Sequence, residues 1–243
     1  MESAQTDRIR GVALITGASS GIGRAVARRL AEQGFGVALV ARSRERLEQL
    51  QSELAPAKTV ALAQDLTDFG AADGVVAAVQ TKLGPIDVLV NSAGMAYTNT
   101  LEGTPVADWE RVLALNLTAP FAMTRAVLPG MRARRSGLVV NLVSIAGERA
   151  FAGWGAYCAS KAGLLAMTRV LAEEVRSEGI RVTALCPGAV DTALWDSEAV
   201  AADFERGAML SAETVAGLVL YTVNLPPDAV LEAAILMPGR GTF

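Results

Sequence analysis

The sequence predicts an α/β fold, a doubly wound parallel sheet of about seven strands flanked by helices. Three features predict it. Short apolar runs alternate with longer segments of helical periodicity from residue 12 almost to the end. The runs are apolar at nearly every position, as strands buried on both faces must be. No linker, repeat or low-complexity stretch interrupts them, so residues 10–243 read as one domain behind a flexible tail at 1–9.

Taken in order, "VALIT" (12–16) is the first strand and the amphipathic stretch to Gln33 the first helix. "GVALV" (36–40) precedes the helical "SRERLEQLQSEL", and "TVALA" (59–63) precedes a helix reaching Lys82. "IDVLV" (86–90) leads into a long helical region that should break near Pro120, because proline cannot donate to the helix ladder. "GLVVNLVS" (137–144), a helix through Glu178 and "RVTALC" (181–186) follow, and a helix over 213–223 and "EAAILMP" close the chain.

Composition narrows the functions. A chain of 243 residues, 51% hydrophobic, can bury one sizeable core. With 22 basic and 25 acidic side chains interspersed, a net charge of -3 offers no attraction to a phosphate backbone, so no nucleic-acid partner is expected. The opening "MESAQTDRIRG" fits neither a secretory signal nor a transit peptide. Charge-free stretches such as 214–227 fall short of the roughly 18 apolar residues a membrane span needs. A cytoplasmic protein without a membrane partner is expected. Cys158 and Cys186 lie 28 positions apart without metal-ligand spacing and read as packing residues of a reducing compartment. The absence of histidine excludes Ser-His-Asp and Cys-His triads, leaving Tyr, Lys, Asp, Glu or Cys for proton transfer.

The first strand runs into "TGASSGIGRAV", with glycines at 17, 21 and 23. A turn without Cβ atoms at the start of a helix lets backbone N–H groups approach a pyrophosphate. The spacing differs from the common G-x-G-x-x-G, but its place after the first strand is where a dinucleotide binds a Rossmann-like sheet. After the second strand, Ala41 stands where an acid would hold adenine-ribose hydroxyls, and Arg42 and Ser43 follow. A guanidinium suits a 2′-phosphate, which favours NADP(H) over NAD(H). Arg42 equally suits a solvated helix start beside Arg44 and Arg46.

In "YCASK", Tyr157 and Lys161 stand four apart, one turn along one helix face. A neighbouring ammonium favours a phenolate, so Lys161 is expected to bring the Tyr157 pKa toward working pH.

With these motifs in place, the chain resembles the short-chain dehydrogenase/reductase family, most clearly over residues 11 to 192. "TGASSGIG", "DL" at 65–66, "NSAG" at 91–94, "LNL" around Asn116, Ser144 thirteen positions before Tyr157, "YCASK" and "CPGAVDT" (186–192) occur in the family's order. Ser92 departs from the second asparagine found in many members. The resemblance implies that Tyr157 is the acid/base, that Ser144 bonds the substrate oxygen, that Asn116 positions a relay water, and that Lys161 holds the nicotinamide ribose. It assigns cofactor contacts to Gly17, Ser19, Ser20, Gly21, Ile22 and Gly23, to Asp65 and Leu66 at the adenine, to Asn91, Ala93 and Gly94, and to Pro187, Gly188, Val190 and Thr192 near the carboxamide. It also implies a homotetramer or dimer built on the helices over 106–134 and 154–178.

A substrate lid is expected over 189–210, carrying Leu194, Trp195, Phe204 and Met209, with Glu148 and Arg149 able to reach the pocket mouth. Apolar side chains beside a polar centre suit a carbonyl or alcohol. One specialised branch reduces 3-ketoacyl groups on an acyl carrier protein, and "MRARRSG" (131–137) would offer it a basic docking patch. The ending "LEAAILMPGRGTF" departs from that branch's T-G-x-x-x-x-V-D/N-G-G, and resembles more the branch acting on small hydroxy acids and diverse ketones. A sensor that binds NADP(H) without turnover, and a lyase or epimerase using the nucleotide transiently, are the readings from other classes.

Overall fold

A computed structural model of the chain describes residues 9–201 and 205–240. The tail expected over 1–9 therefore lies, except for Ile9, outside the described residues, as does Phe204. Seven parallel strands form one sheet in the order β3-β2-β1-β4-β5-β6-β7. They are β1 (Val12–Thr16), β2 (Gly36–Ala41), β3 (Thr59–Ala63), β4 (Val88–Asn91), β5 (Gly137–Leu142), β6 (Ile180–Pro187) and β7 (Ala233–Leu236). The order reverses between β1 and β4, and at that switch point the crevice for a ligand opens at the carboxyl ends of the strands.

Helices α1 (Gly21–Glu32), α2 (Arg44–Glu53) and α7 (Ala212–Asn224) cover one face. Covering the other are α3 (Ala72–Leu83), α5 (Ala119–Arg134) and the end of α6 (Gly155–Val175). Central strands β1, β2, β4 and β5 are buried at every position, each large side chain such as Leu14 or Leu89 contributing roughly 1.5–3 kcal/mol. The edge strands depart from that pattern: β3 is mostly half-buried and β7 alternates between exposed and half-buried, because each has a neighbour on one side only.

The break expected near Pro120 is not a break. Helix α4 (Val106–Leu113) continues through a π-helical turn (Ala114–Thr118) directly into α5. Pro120 has no N–H for the Asn116 carbonyl four residues back, so the ladder widens by one residue instead of ending. By length and composition the run Val106–Arg134 could cross a bilayer, yet it is a core helix here, with Val112, Met123, Val127 and Met131 buried.

A polar seam ties the sheet to these helices. Asn91 Nδ2 donates to Asn141 Oδ1 (2.8 Å) and to Thr124 Oγ1 (3.3 Å), and Asn141 Nδ2 donates to Thr168 Oγ1 (2.8 Å). The basic run 131–137 ends α5 and opens β5 at the amino edge, a strand's length from the crevice. Its arginines are engaged there: Arg132 with Glu178, Arg134 with the Ile86 carbonyl and Arg135 with the Ser177 carbonyl.

Candidate active site

The glycine turn is locked onto the switch point. Thr16 Oγ1, at the end of β1, accepts from the backbone N–H groups of Ser92 and Ala93 (both 3.1 Å). Gly17 then turns with φ +67°, and a Cβ there would sit 2.8 Å from the Ala93 backbone. Neither the conformation nor the space admits another residue. At Gly23 a Cβ would run into the Gly17 carbonyl oxygen. Helix α1 starts after Ser20 without a side-chain cap and without an acidic residue in its first turn, so its first N–H groups and its dipole are available to an anion. A cradle that any Cβ would fill, opening onto uncapped donors, fits a pyrophosphate.

At the next strand, Ala41 is buried and Arg42 is exposed, with no ion pair among the described residues. Ser43 caps α2 through Oγ, which accepts from Arg46 N (3.3 Å). Asp65 accepts from Thr67 N (2.9 Å) and Thr67 Oγ1 (2.8 Å). These bonds, with a smaller pull from Arg42, hold its carboxyl below the usual range. Leu66 beside it is buried. Asn91 and Asn116, by contrast, turn their side chains away from the cavity. Asn91 joins the polar seam. Asn116, fully buried in the π turn, accepts from Met95 N (2.8 Å) and donates to Met95 O (2.9 Å) and Ser160 Oγ (3.0 Å). Its amide is thus engaged at both ends, and a relay water would have to be held through its backbone.

Ser144 leaves β5 as the cap of a 3₁₀ turn, its Oγ accepting from Ala146 N (3.1 Å). The Tyr157 phenol, which projects from the first turn of α6, faces the same cavity and feels the Ser144 hydroxyl. One turn later Lys161 is buried, its Nζ donating to Leu142 O (2.9 Å) and lying 5.8 Å from the Tyr157 ring centroid. Loss of hydration pushes the phenol pKa up, opposed in part by the Ser144 hydroxyl. Burial also pulls Lys161 down to about 8. The phenol is thus raised, where the expectation was that Lys161 would bring it toward working pH: at this depth loss of hydration sets the direction. At neutral pH the phenol keeps its proton and the lysine remains an ammonium.

These groups form the floor of a cavity of about 150 Å³. It brings together Ile22, Gly94, Ser144, Tyr157, Lys161, Pro187, Gly188, Val190, Thr192, Leu194 and Trp195 from the residues singled out in the sequence. Glu148 and Arg149 are not among its lining: both are exposed, and Glu148 pairs with Arg169 (2.8 Å). Sequence reasoning missed Met95, Ile145, Phe151 and Trp154, which complete the walls. For Trp154 a signal existed, three residues before Tyr157 in "GWGAY".

The segment expected as a lid has 3₁₀ turns at Ala193–Asp196 and Arg206–Ala208. Its ends are closed by bonds from Asp191 N to Leu210 O (2.8 Å) and from Leu210 N to Ala189 O (2.9 Å). Arg206, which sequence reasoning passed over, clamps it by donating to Asp191 Oδ1 (2.8 Å), Thr192 O (2.7 Å) and Asp196 Oδ1.

Comparison with known proteins agrees with this geometry. The profile of the short chain dehydrogenase family matches residues 11–202. The 2-(R)-hydroxypropyl-CoM dehydrogenase of Xanthobacter autotrophicus is 35% identical over 245 residues, covering 95% of this chain and 98% of its own. A glycine betaine reductase of Emericella nidulans is 38% identical over 235 residues, which is 93% of this chain but 18% of that much longer protein. Among solved structures, an alcohol dehydrogenase from the archaeon Thermococcus sibiricus complexed with 5-hydroxy-NADP superposes with a TM-score of 0.88 at 28% identity, covering 96% of this chain and 98% of that one.

Proposed function

The chain belongs to the short-chain dehydrogenase family of oxidoreductases, and we propose that it is an NADP(H)-dependent enzyme moving hydride between the nicotinamide and a carbonyl or secondary alcohol. One observation carries the reading: the Ser144 hydroxyl and the Tyr157 phenol meet beside a buried Lys161 at the floor of the cavity that adjoins the glycine turn.

When bound, the cofactor supplies or accepts the hydride. Residues Gly17 to Gly23 and the N-terminus of α1 hold its pyrophosphate, Arg42 and Ser43 its 2′-phosphate, and Asp65 and Leu66 flank the adenine. Gly94, Pro187, Gly188, Val190 and Thr192 line the nicotinamide end. Two donors converging on a substrate oxygen stabilise the negative charge that develops there. Tyr157, held protonated by burial, gives its proton to that oxygen, and Ser144 donates its hydroxyl hydrogen to the same oxygen. Lys161 stabilises the phenolate left behind and has donors to spare for a ribose, since Leu142 O is the one acceptor seen for its three protons among the described residues. Asn116 is a positioning residue that braces the Met95 loop against Ser160, next to Lys161.

The fold places the arginines of 131–137 at the edge opposite the cavity, which supports a free small molecule over an acyl group delivered by a carrier protein docked on that patch. Residues 10–243 act as one catalytic unit in the cytoplasm. Phe121 on α5 and Val170 on α6, 50% and 57% exposed, support helix-to-helix contact in a dimer or tetramer.

The test is oxidation of NADPH, and separately of NADH, against a panel of ketones, aldehydes and keto acids. Turnover should prefer NADPH, and Tyr157→Phe should lower kcat/KM roughly 10³-fold while NADPH binding, followed by its fluorescence, persists. Undiminished turnover in that variant sinks the role of Tyr157, and a preference for NADH sinks that of Arg42.

A further inference from the structure

We propose that the cavity takes an uncharged ketone or aldehyde bearing a compact aromatic group, and turns away keto acids. This rests on the reductase reading of the same site. The wall above Ser144 and Tyr157 is built from Met95, Ile145, Phe151, Trp154, Leu194 and Trp195. Trp154 stands edge-on to Tyr157 (centroids 5.6 Å apart, 67° between planes) and edge-on to Trp195 (5.9 Å, 68°). One aromatic wall therefore runs from the reacting phenol to the lid. Trp195 Nε1 donates to Val190 O (2.8 Å), which satisfies the polar edge of the indole within the protein and fixes the ring. Fixed aromatic faces bind another ring without an ordering cost. A cavity near 150 Å³, of the order that holds a benzene ring, limits the substituent to no more than one ring.

Charge points the same way. Lys161 is the one charged residue among those lining the cavity, and it lies on the floor bonded to Leu142 O. Arg149 is exposed and outside the lining, and the guanidinium of Arg206 is taken up by Asp191 and Asp196. The described part of the lid carries Asp191, Asp196, Glu198 and Glu205 exposed, against the single Arg206. A substrate carboxylate would give up its hydration without a partner and pass an acidic rim. For a neutral ketone the reaction balances simply. Hydride from NADPH adds to the carbonyl carbon, the Tyr157 O–H gives its proton to the oxygen, and solvent reprotonates the phenolate, leaving a secondary alcohol and NADP⁺.

Two matched pairs test this with NADPH as reductant: 1-phenylpropane-1,2-dione against benzoylformate, and butane-2,3-dione against pyruvate. Each pair exchanges a methyl ketone for a carboxylate at nearly constant shape. The neutral member should lead by roughly 30-fold in kcat/KM in both pairs, with the phenyl diketone the best of the four. Leu194→Arg, at a half-buried wall position, should narrow the phenyl pair's ratio about tenfold by raising benzoylformate turnover. Keto acids reduced as well as their neutral partners, butanedione outrunning the phenyl compound, or a ratio unmoved by Leu194→Arg would each overturn the proposal and leave the reductase reading standing. NADPH binding without reduction of any carbonyl would overturn the reductase reading, and this proposal with it.

Discussion

The two edges of the one parallel sheet treat polar groups in opposite ways. At the amino edge they are spent on the protein itself. Asp87 Oδ2 accepts from Val12 N (2.8 Å), Arg134 reaches the Ile86 carbonyl (2.6 Å), and Arg181 reaches the carbonyls of Leu225 and Ala229 (3.1 and 3.3 Å). At the carboxyl edge donors are held ready but not used up: the uncapped start of α1, the Tyr157 phenol, the Lys161 ammonium and the Arg42 guanidinium. In a parallel sheet the following helices start at the carboxyl edge, so their N-terminal donors face the crevice between β1 and β4. The sequence closes one edge for stability and leaves the other costly to fold but ready to bind.

The largest break in that contrast should come from Lys161→Met. Turnover should fall roughly 10²–10³-fold, since the charge beside the phenolate is lost. Stability at pH 7 should stay within about 1 kcal/mol, because relief of a buried charge offsets the donor lost to Leu142 O. Titration gives the sharper readout. A lysine lowered from 10.5 to about 8 in the fold carries its full burial penalty below pH 8, where both folded and unfolded chains are protonated. Between about 8 and 10.5 the folded chain has already lost its proton and the unfolded chain has not, so stability rises with pH across that window. Urea denaturation should show the wild type gaining roughly 2 kcal/mol on Lys161→Met between pH 7 and 9.5. Parallel pH profiles would mean that Lys161 folds without penalty.

How much of each edge could be read in the sequence follows from the same contrast. The strands and the glycine turn were legible because burial on both faces and positive φ leave few residue choices. Ser144, Tyr157 and Lys161 were singled out through the family resemblance, since helix spacing by itself places only Tyr157 and Lys161 on one face of α6. What escaped depended on distances across the fold. The polar seam of Asn91, Asn141, Thr124 and Thr168 joins residues as many as 50 positions apart. The Arg206 clamp rests on a loop without periodicity. The direction of the Tyr157 pKa shift depends on burial, which Y-x-x-x-K spacing does not record. The run 131–137 shows its charge in the sequence, but not the edge of the sheet on which it falls.

A middle-sized effect is expected at Arg42, the exposed donor of the carboxyl edge. Arg42→Ala should raise the Kd for NADPH roughly 30-fold and that for NADH less than threefold, because a charge-assisted pair with the 2′-phosphate contributes about 2 kcal/mol. Fluorescence titration of both nucleotides reads the difference. Equal weakening would assign Arg42 to the start of α2 and not to the cofactor, moving it from the ready donors to the spent ones.

The smallest effect should come from the amino edge, at Arg134→Ala. Its side chain is 30% exposed, and its contact with Asp87 at 3.7 Å adds little in solvent. What it supplies is a hydrogen bond to the Ile86 carbonyl and another to the Gly130 carbonyl (2.9 Å). Water can reach part of that space, so the loss should be about 1 kcal/mol in urea denaturation. Turnover and NADPH affinity should stay within twofold, since a strand's length of β4 and β5 separates these carbonyls from the cavity. A variant that folds with that modest loss yet turns over tenfold more slowly would show that the packed sheet carries strain from one edge to the other. The division between an edge that closes the fold and an edge that binds would then hold for chemistry alone, and not for mechanics.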